Sequence, residues 1–216
     1  QVDVVAENTG TPEILAKRGL DYESLRKLNP NLIMASVSAF GRTSPYANKT
    51  GYDFIVQAFS GLMHMTGDPD GPPCFVGSSI ADTGTAVHAF ASLGYALYRR
   101  ERTGRGQHID IAMVDCMFHM HEGHLQCAHF GDYEPKRMGA HHELVFPVGT
   151  FKGPQGWIVV LCLDLQWPNF CNALGRPDLI DDPRYKTMPE RAARRHELIE
   201  LTETAADRIC AVMPKR

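Results

Sequence analysis

Nowhere in the 216 residues do the roughly 18 to 20 consecutive apolar side chains of a membrane span run together, so no membrane partner is expected. Charge of one sign is equally scarce. The 22 Lys and Arg against 25 Asp and Glu leave a formal net charge of -3, which gives no overall reason to expect nucleic acid or an anionic surface as partner. Any phosphate site must therefore be local. Cysteine is present six times, at Cys74, Cys116, Cys127, Cys162, Cys171 and Cys210, without a C-x-x-C pair. A chain this long does not need disulfide staples, and the six read as reduced thiols. The start lacks the basic, apolar and small-residue layout of a secretion signal, which makes the cytoplasm the expected compartment. No G-x-G-x-x-G follows a strand, and neither a Walker lysine motif nor a G-x-S-x-G elbow occurs. Dinucleotide-dependent oxidoreductases and serine hydrolases lose their usual signatures with them. There is no internal repeat and no low-complexity tract.

What the sequence does hold is 44 % hydrophobic residues and 22 % charged ones, the make-up of a globular protein with length for one sizeable core and the beginning of a second. It opens on Gln1 and runs at once into Val2-Asp3-Val4-Val5-Ala6-Glu7, a buried strand with nothing before it. It closes on a helical pattern reaching Val212-Met213-Pro214-Lys215-Arg216 with no capping glycine. Both ends are expected to be internal to a longer protein.

After the first strand, Thr11 is placed to cap and Pro12 to begin a short helix through Lys17, ended by Gly19. Asp21 caps a second helix, Tyr22 to Leu28, with Asn29-Pro30 at its exit. Leu32 to Ser38 is a largely apolar run of strand length, as in a sheet covered on both faces. Strand, helix, strand implies a parallel α/β unit. Gly41 to Gly51 is a loop; Tyr52 to Met65 has helical spacing with Gly61 inside it at a modest cost. The Gly67 to Pro73 stretch is a loop. A long helix is predicted from about Thr83 to Arg102, with Val87, Phe90, Ala91, Gly94, Leu97 and Tyr98 on its buried side. A short strand from His108 to Met113 follows, then a helix from Asp115 to about Phe130. Residues 132–142 are polar and irregular. Beyond them Thr150-Phe151-Lys152 and Trp157 to Cys162 flank Gly153-Pro154-Gln155-Gly156 as a hairpin, with helices at about Leu165 to Leu174 and Arg191 to Val212.

Among residues suited to chemistry, Asp82 opens the long helix, where the helix dipole and free amides favour negative charge. It reads either as an N-cap, since aspartate is a preferred cap, or as a carboxylate nucleophile, with Gly84 and Ala86 leaving room for a substrate. His119, His121, Glu122 and His124 invite a metal, but their order is His-Met-His-Glu-Gly-His rather than His-Glu-x-x-His, so no metal site is expected and these histidines read as packing or hydrogen-bonding groups. The basic run Arg99 to Arg105 reads as a helix end on the surface.

Several segments together resemble the class III coenzyme A transferases, the family of formyl-CoA transferase and carnitine CoA-transferase, to which α-methylacyl-CoA racemase also belongs. They are Ala6-Glu7-Asn8, Leu28-Asn29-Pro30, Ser38-Ala39-Phe40-Gly41, Gly51-Tyr52-Asp53, Ser60-Gly61-Leu62-Met63, Thr66-Gly67-Asp68, Asp70-Gly71-Pro72-Pro73, Ala81-Asp82 and Arg102 to Gln107, extended by Trp167, Asp182 to Tyr185 and Arg191. Each alone is weak, and their order and spacing carry the resemblance.

That resemblance implies an α/β fold: a partial Rossmann-like, parallel-sheet large domain over residues 1–130, a linker at 131–144, and a smaller α+β domain, hairpin plus helices, over 145–216. It implies that Asp82 attacks an acyl-CoA thioester, giving an aspartyl anhydride and then an aspartyl-CoA thioester before coenzyme A passes to a carboxylic acid. Coenzyme A is then a cosubstrate, with no permanently bound cofactor. Tyr52 stands where racemases of the family carry histidine, and a group with a pKa near 10 is a poor base at neutral pH; packing at a helix start is its other reading. Asn8 and Lys17 match positions near the CoA nucleotide and phosphates, and Lys49 lies beside another, although Thr9-Gly10-Thr11-Pro12 departs from the family's usual Phe-Arg-Pro-Gly; the two lysines read equally as solvated surface charges. His142, in Arg137 to Glu143, matches a stretch near the acyl end of the site, with Ala140 and Glu143 departing from the pattern. Asp53 reads as a cap of its own helix, with no catalytic role. The resemblance further implies an interlocked homodimer with a shared site. An acyl-CoA racemase or isomerase, or an inactive CoA-binding fragment, are the alternative functions.

Overall fold

The computed structural model describes residues 2–121 and 123–212, and the chain divides into two compact units, residues 1–66 with 73–135 and residues 67–72 with 136–216.

In the first unit the strand β1 (Val4–Glu7) leads through the short helices α1 (Pro12–Lys17) and α2 (Tyr22–Leu28) to β2 (Ile33–Ser38). Thr11 and Asp21 cap these helices, accepting from the Ile14 and Ser24 amides. The strands pair in parallel, Val4 opposite Ile33 through Glu7 opposite Ser36. Strand β3 (Gln107–Ala112) adds to the far side of β2, also in parallel, giving the order β1-β2-β3. The mixed α/β architecture with a parallel sheet is therefore the one expected.

The sheet's two faces differ in chemistry because alternate residues point to opposite sides. One presents Ala35, Val37, Ile109 and Ile111 to Ala89 and Leu93 of α5 (Ile80–Thr103) and to Cys116 of α6 (Met113–Met120). The other carries Glu7, Ser36, His108 and Asp110. Here Arg42 pairs with Glu7, the Arg42 amide donates to Asp110 (2.9 Å), and His108 bonds Ser36 (2.9 Å) while stacking on Tyr22. Burial, with Arg42 next to it, lowers the His108 pKa, so the ring is held neutral.

Four expectations for this unit need correction. The helix expected over Tyr52 to Met65 is two, α3 (Asp53–Phe59) and α4 (Leu62–Met65), because Gly61 takes φ +85° between them. The helix expected from Asp115 to Phe130 is also two, α6 and α7 (His124–Phe130). Helix α5 lies where it was expected but is turned the other way. Its buried stripe is the small-residue one, Ala81, Gly84, Thr85 and Ala96, whereas Val87, Phe90, Ala91, Gly94, Leu97 and Tyr98 are exposed. Gly84 leaves room for methionine rather than substrate: a side chain there would meet Met120 Sδ at 2.7 Å and Met117 Cε at 3.0 Å.

The second unit is built on the expected hairpin, β4 (Val148–Gly153) and β5 (Gly156–Leu161), with α8 (Trp167–Leu174), α9 (Met188–Ala193), α10 (Arg195–Thr204) and α11 (Ala206–Val212). The single helix expected from Arg191 to Val212 is thus broken twice, at Arg194 and Ala205. Each break redirects the chain so that Leu198, Ala205 and Ile209 all reach one core with Phe146, Phe151, Trp167 and Tyr185.

Candidate functional site

The approach to α5 is a chain of short local turns. The Ser78 amide donates to Val76 O (2.7 Å) and the Ile80 amide to Ser78 O (2.8 Å). Ser79 occupies the cap position of α5 yet makes no side-chain cap bond. Asp82 is consequently not the cap, as one reading of the sequence had it, but the third residue of the helix, in its first turn and with its side chain exposed.

The missing cap comes from 28 residues away. Asp53 Oδ1 accepts from the amides of Ala81 (2.7 Å) and Asp82 (3.2 Å), and Oδ2 accepts from Gln57 Nε2 (2.6 Å). Gln57 in turn accepts the Val76 amide on Oε1 (2.9 Å) and reaches Ser78 O through Nε2 (3.3 Å). Asp53 is 9 % exposed and Gln57 fully buried. One carboxylate and one amide therefore fix the loop and the first turn of α5, and Asp53 does not serve its own helix as expected.

This arrangement reverses the electrostatics anticipated for Asp82. The amides of Ala81 and Asp82, which would have favoured its charge, are taken by Asp53. The Asp82 pKa is raised, first by loss of hydration and then by the neighbouring Asp53 carboxylate. Tyr52, immediately before Asp53, is 74 % exposed, and its carbonyl starts α3 by accepting from Ile55 and Val56. A hollow of about 430 Å³ opens at the same end of α5, lined by Asp53, Phe54, Met63, Phe75, Gly77, Ser78 and Ser79.

The other candidates are placed less directly. Asn8 donates to Val37 O (2.9 Å), tying the end of β1 to β2. Lys17 ends α1 and Lys49 lies in the loop before α3, both exposed. His142 belongs to the second unit, where its Nδ1 accepts from the amides of Leu144 and Val145 (3.1 Å each), so the neutral ring carries its proton on Nε2. Of the histidines that suggested a metal, His119 bonds His88 (2.8 Å) and His124 bonds the His121 carbonyl (3.0 Å), while Glu122 lies outside the described residues. Asp53 and Gln57 are what sequence reasoning missed. The one available signal was their spacing, an Asp and a Gln four apart on one helix face.

The CoA-transferase family III profile matches residues 1–209. The chain belongs to that family. Among its relatives within CoA-transferase family III, the acetyl-CoA:oxalate CoA-transferase of Acetobacter aceti is 40 % identical over 207 residues, covering 95 % of this chain and 53 % of the relative. The succinate–glutarate CoA-transferase of Agrobacterium fabrum is 39 % identical over 203 residues, covering 94 % and 50 %. A crystal structure of a CAIB/BAIF family protein from Brucella suis superposes with a TM-score of 0.79 at 36 % identity, covering 99 % of this chain and 59 % of that one. The chain spans about half the length of the curated relatives it matches.

Proposed function

We propose that the protein transfers coenzyme A from an acyl-CoA to a carboxylic acid by double displacement at Asp82. The observation that carries this reading is a carboxylate exposed in the first turn of a long helix, at the end where Asp53, Ser78 and Ser79 line an open hollow, in a chain whose family relatives are named as CoA-transferases.

In the first step an Asp82 oxygen attacks the thioester carbonyl carbon. The new C–O bond forms, the C–S bond breaks, and its electron pair leaves with the coenzyme A thiolate. A mixed anhydride results, reactive enough for the thiolate to return to the Asp82 carbonyl and expel the acyl group as a free acid. An ester on a serine would not allow that return. The acceptor acid then repeats the two steps in reverse and departs as its CoA thioester. The hollow walled by Phe54, Met63 and Phe75 is suited to the apolar part of an acyl group or the pantetheine arm. Asn8, Lys17 and Lys49 are proposed contacts of the nucleotide portion, and Tyr52 and His142 of the acyl portion. Coenzyme A enters as cosubstrate, and the working unit is proposed to be an interlocked homodimer in the cytoplasm. Racemisation is not favoured: tyrosine at position 52 is a poor base, and the relatives named above are transferases.

The complete protein is given an acyl-CoA, trapped with hydroxylamine and digested for mass spectrometry. Modification is expected on the Asp82 peptide and absent in Asp82→Asn, whose turnover falls by at least about 1,000-fold. Unmodified Asp82, with solvent deuterium entering beside the thioester, would make the protein an isomerase instead.

A further inference from the structure

Helix α5 starts without a cap of its own, and the group that replaces it is chemically unusual for the purpose. A serine or threonine would satisfy the two free amides without adding charge. Asp53 adds a carboxylate, in a nearly buried position, that accepts from two backbone amides and from the Gln57 amide. Gln57 has no latitude to turn, because its oxygen is occupied by the Val76 amide and its nitrogen also faces Ser78 O. The pair thus locks both the segment entering α5 and the backbone of Asp82 itself.

We propose that Asp53, held by Gln57, is a positioning residue for Asp82, fixing its backbone and loading it with a neighbouring negative charge that is relieved when Asp82 is acylated. This rests on the reading of Asp82 as nucleophile. Before attack, two carboxylates share one helix end, with Asp53 Oδ1 accepting the Asp82 amide itself (3.2 Å), and neither amide that could soften the repulsion is available to Asp82. During attack the Asp82 charge passes through the acyl carbon to the departing thiolate, so that only Asp53 remains charged there. The like-charge term is present in the ground state and absent in the anhydride, which speeds the chemical step rather than binding. The same term makes the Asp82 oxygen more basic, and hence a better nucleophile once ionised.

The test is single-turnover acylation of the complete protein by an acyl-CoA, followed across pH, in Asp53→Asn and Asp53→Glu. Asparagine keeps a carbonyl acceptor for the amides, removes the charge and loses the Gln57 bond, since its amide nitrogen then faces Gln57 Nε2. Its acylation rate is expected to fall about 10- to 100-fold. Because Asp53 raises the proton affinity of Asp82, removing its charge moves the acid limb of the rate profile to lower pH. Glutamate keeps the charge on a longer arm, so the rate falls while the acid limb stays at the parent pH. A purely structural cap would leave the limb unmoved in both variants, and that result overturns the proposal. Should Asp53→Asn not fold, Asp53→Glu still decides: acylation at the parent rate overturns it. Failure to trap any adduct on Asp82 in the parent protein removes the nucleophile and this proposal together, whereas a trapped adduct with an unmoved limb removes this proposal alone.

Discussion

Arg191 is fully buried, and its guanidinium is used on every side. Nε donates to Phe146 O (3.1 Å), one terminal nitrogen donates to Tyr185 O (3.1 Å), and the other pairs with Asp164, while the plane lies over the Trp167 ring at 4.7 Å from its centroid. The Asp164 side chain is largely in water, so the ion pair itself contributes little. The two carbonyls matter more, because without Arg191 they are buried acceptors facing an apolar core. Arg191→Leu should cost about 3 to 5 kcal/mol, and Arg191→Lys a large part of that, since one ammonium cannot reach three directions at once. Both tryptophans lie in the second unit, and only Trp167 is buried; its red shift on chemical unfolding reports the loss directly. An unchanged midpoint in Arg191→Leu would show that the fork is dispensable. At this scale the sequence disclosed what is local. Thr11 and Asp21 were legible as caps because a cap acts within three residues. Asp53 was not, because it caps a helix that begins 27 residues later, and local pattern contains no term for such a contact.

Helices and strands were legible wherever composition and period agreed. The apolar run of β2, the proline and capping residues of α1 and α2, and the glycines of the hairpin turn all mark elements found in place. The errors concern direction and continuity rather than existence. In α5 two stripes compete, a bulky one through Val87, Phe90 and Tyr98 and a small one through Ala81, Gly84, Thr85 and Ala96. Hydrophobic period favours the bulky stripe, but close approach to the sheet and to α6 selects the small one. Gly61 was read as a tolerated helical glycine, and its positive φ is a property of the turn between α3 and α4 that spacing does not reveal. The glycines around these elements separate by what they meet. A side chain at Gly106 would lie 2.0 Å from Leu32 O and 2.5 Å from Asn31 C, backbone that cannot yield without parting β2 from β3. At Gly84 the obstacles are the flexible ends of Met117 and Met120, and alanine gains about 1 kcal/mol in helix propensity. Gly106→Ala should therefore destabilise by about 2 to 3 kcal/mol or more, and Gly84→Ala by less than about 1 kcal/mol. Parallel urea melts compare them, and equal midpoints would contradict the distinction.

For the molecule as a whole, the unassigned surface is as informative as the core. Phe90 is 81 % exposed, Tyr95 79 % and Tyr98 63 %, with Val87 beside them on one face of α5, and Trp157, Val159 and Leu161 stand out from one face of β5. Contiguous apolar faces of this kind are uncommon on free surfaces, although the Arg102 guanidinium lies over the Tyr98 ring at 5.6 Å from its centroid. The homodimer proposed above would cover such faces. The interlocked form of that dimer makes a kinetic claim that an ordinary dimer does not. Interlocked subunits cannot part by loosening an interface alone; one subunit must open, which requires unfolding part of it. Subunit exchange in the complete protein is then limited by unfolding rather than by interface dissociation, with a steep rise on heating. Mixing two differently tagged preparations should yield no mixed dimer over hours at 25 °C, although light scattering gives the mass of two chains throughout. After denaturation and joint refolding, mixed dimers should form. Exchange within minutes under native conditions would leave a dimer that is not interlocked, and a one-chain mass at micromolar concentration would leave no dimer at all.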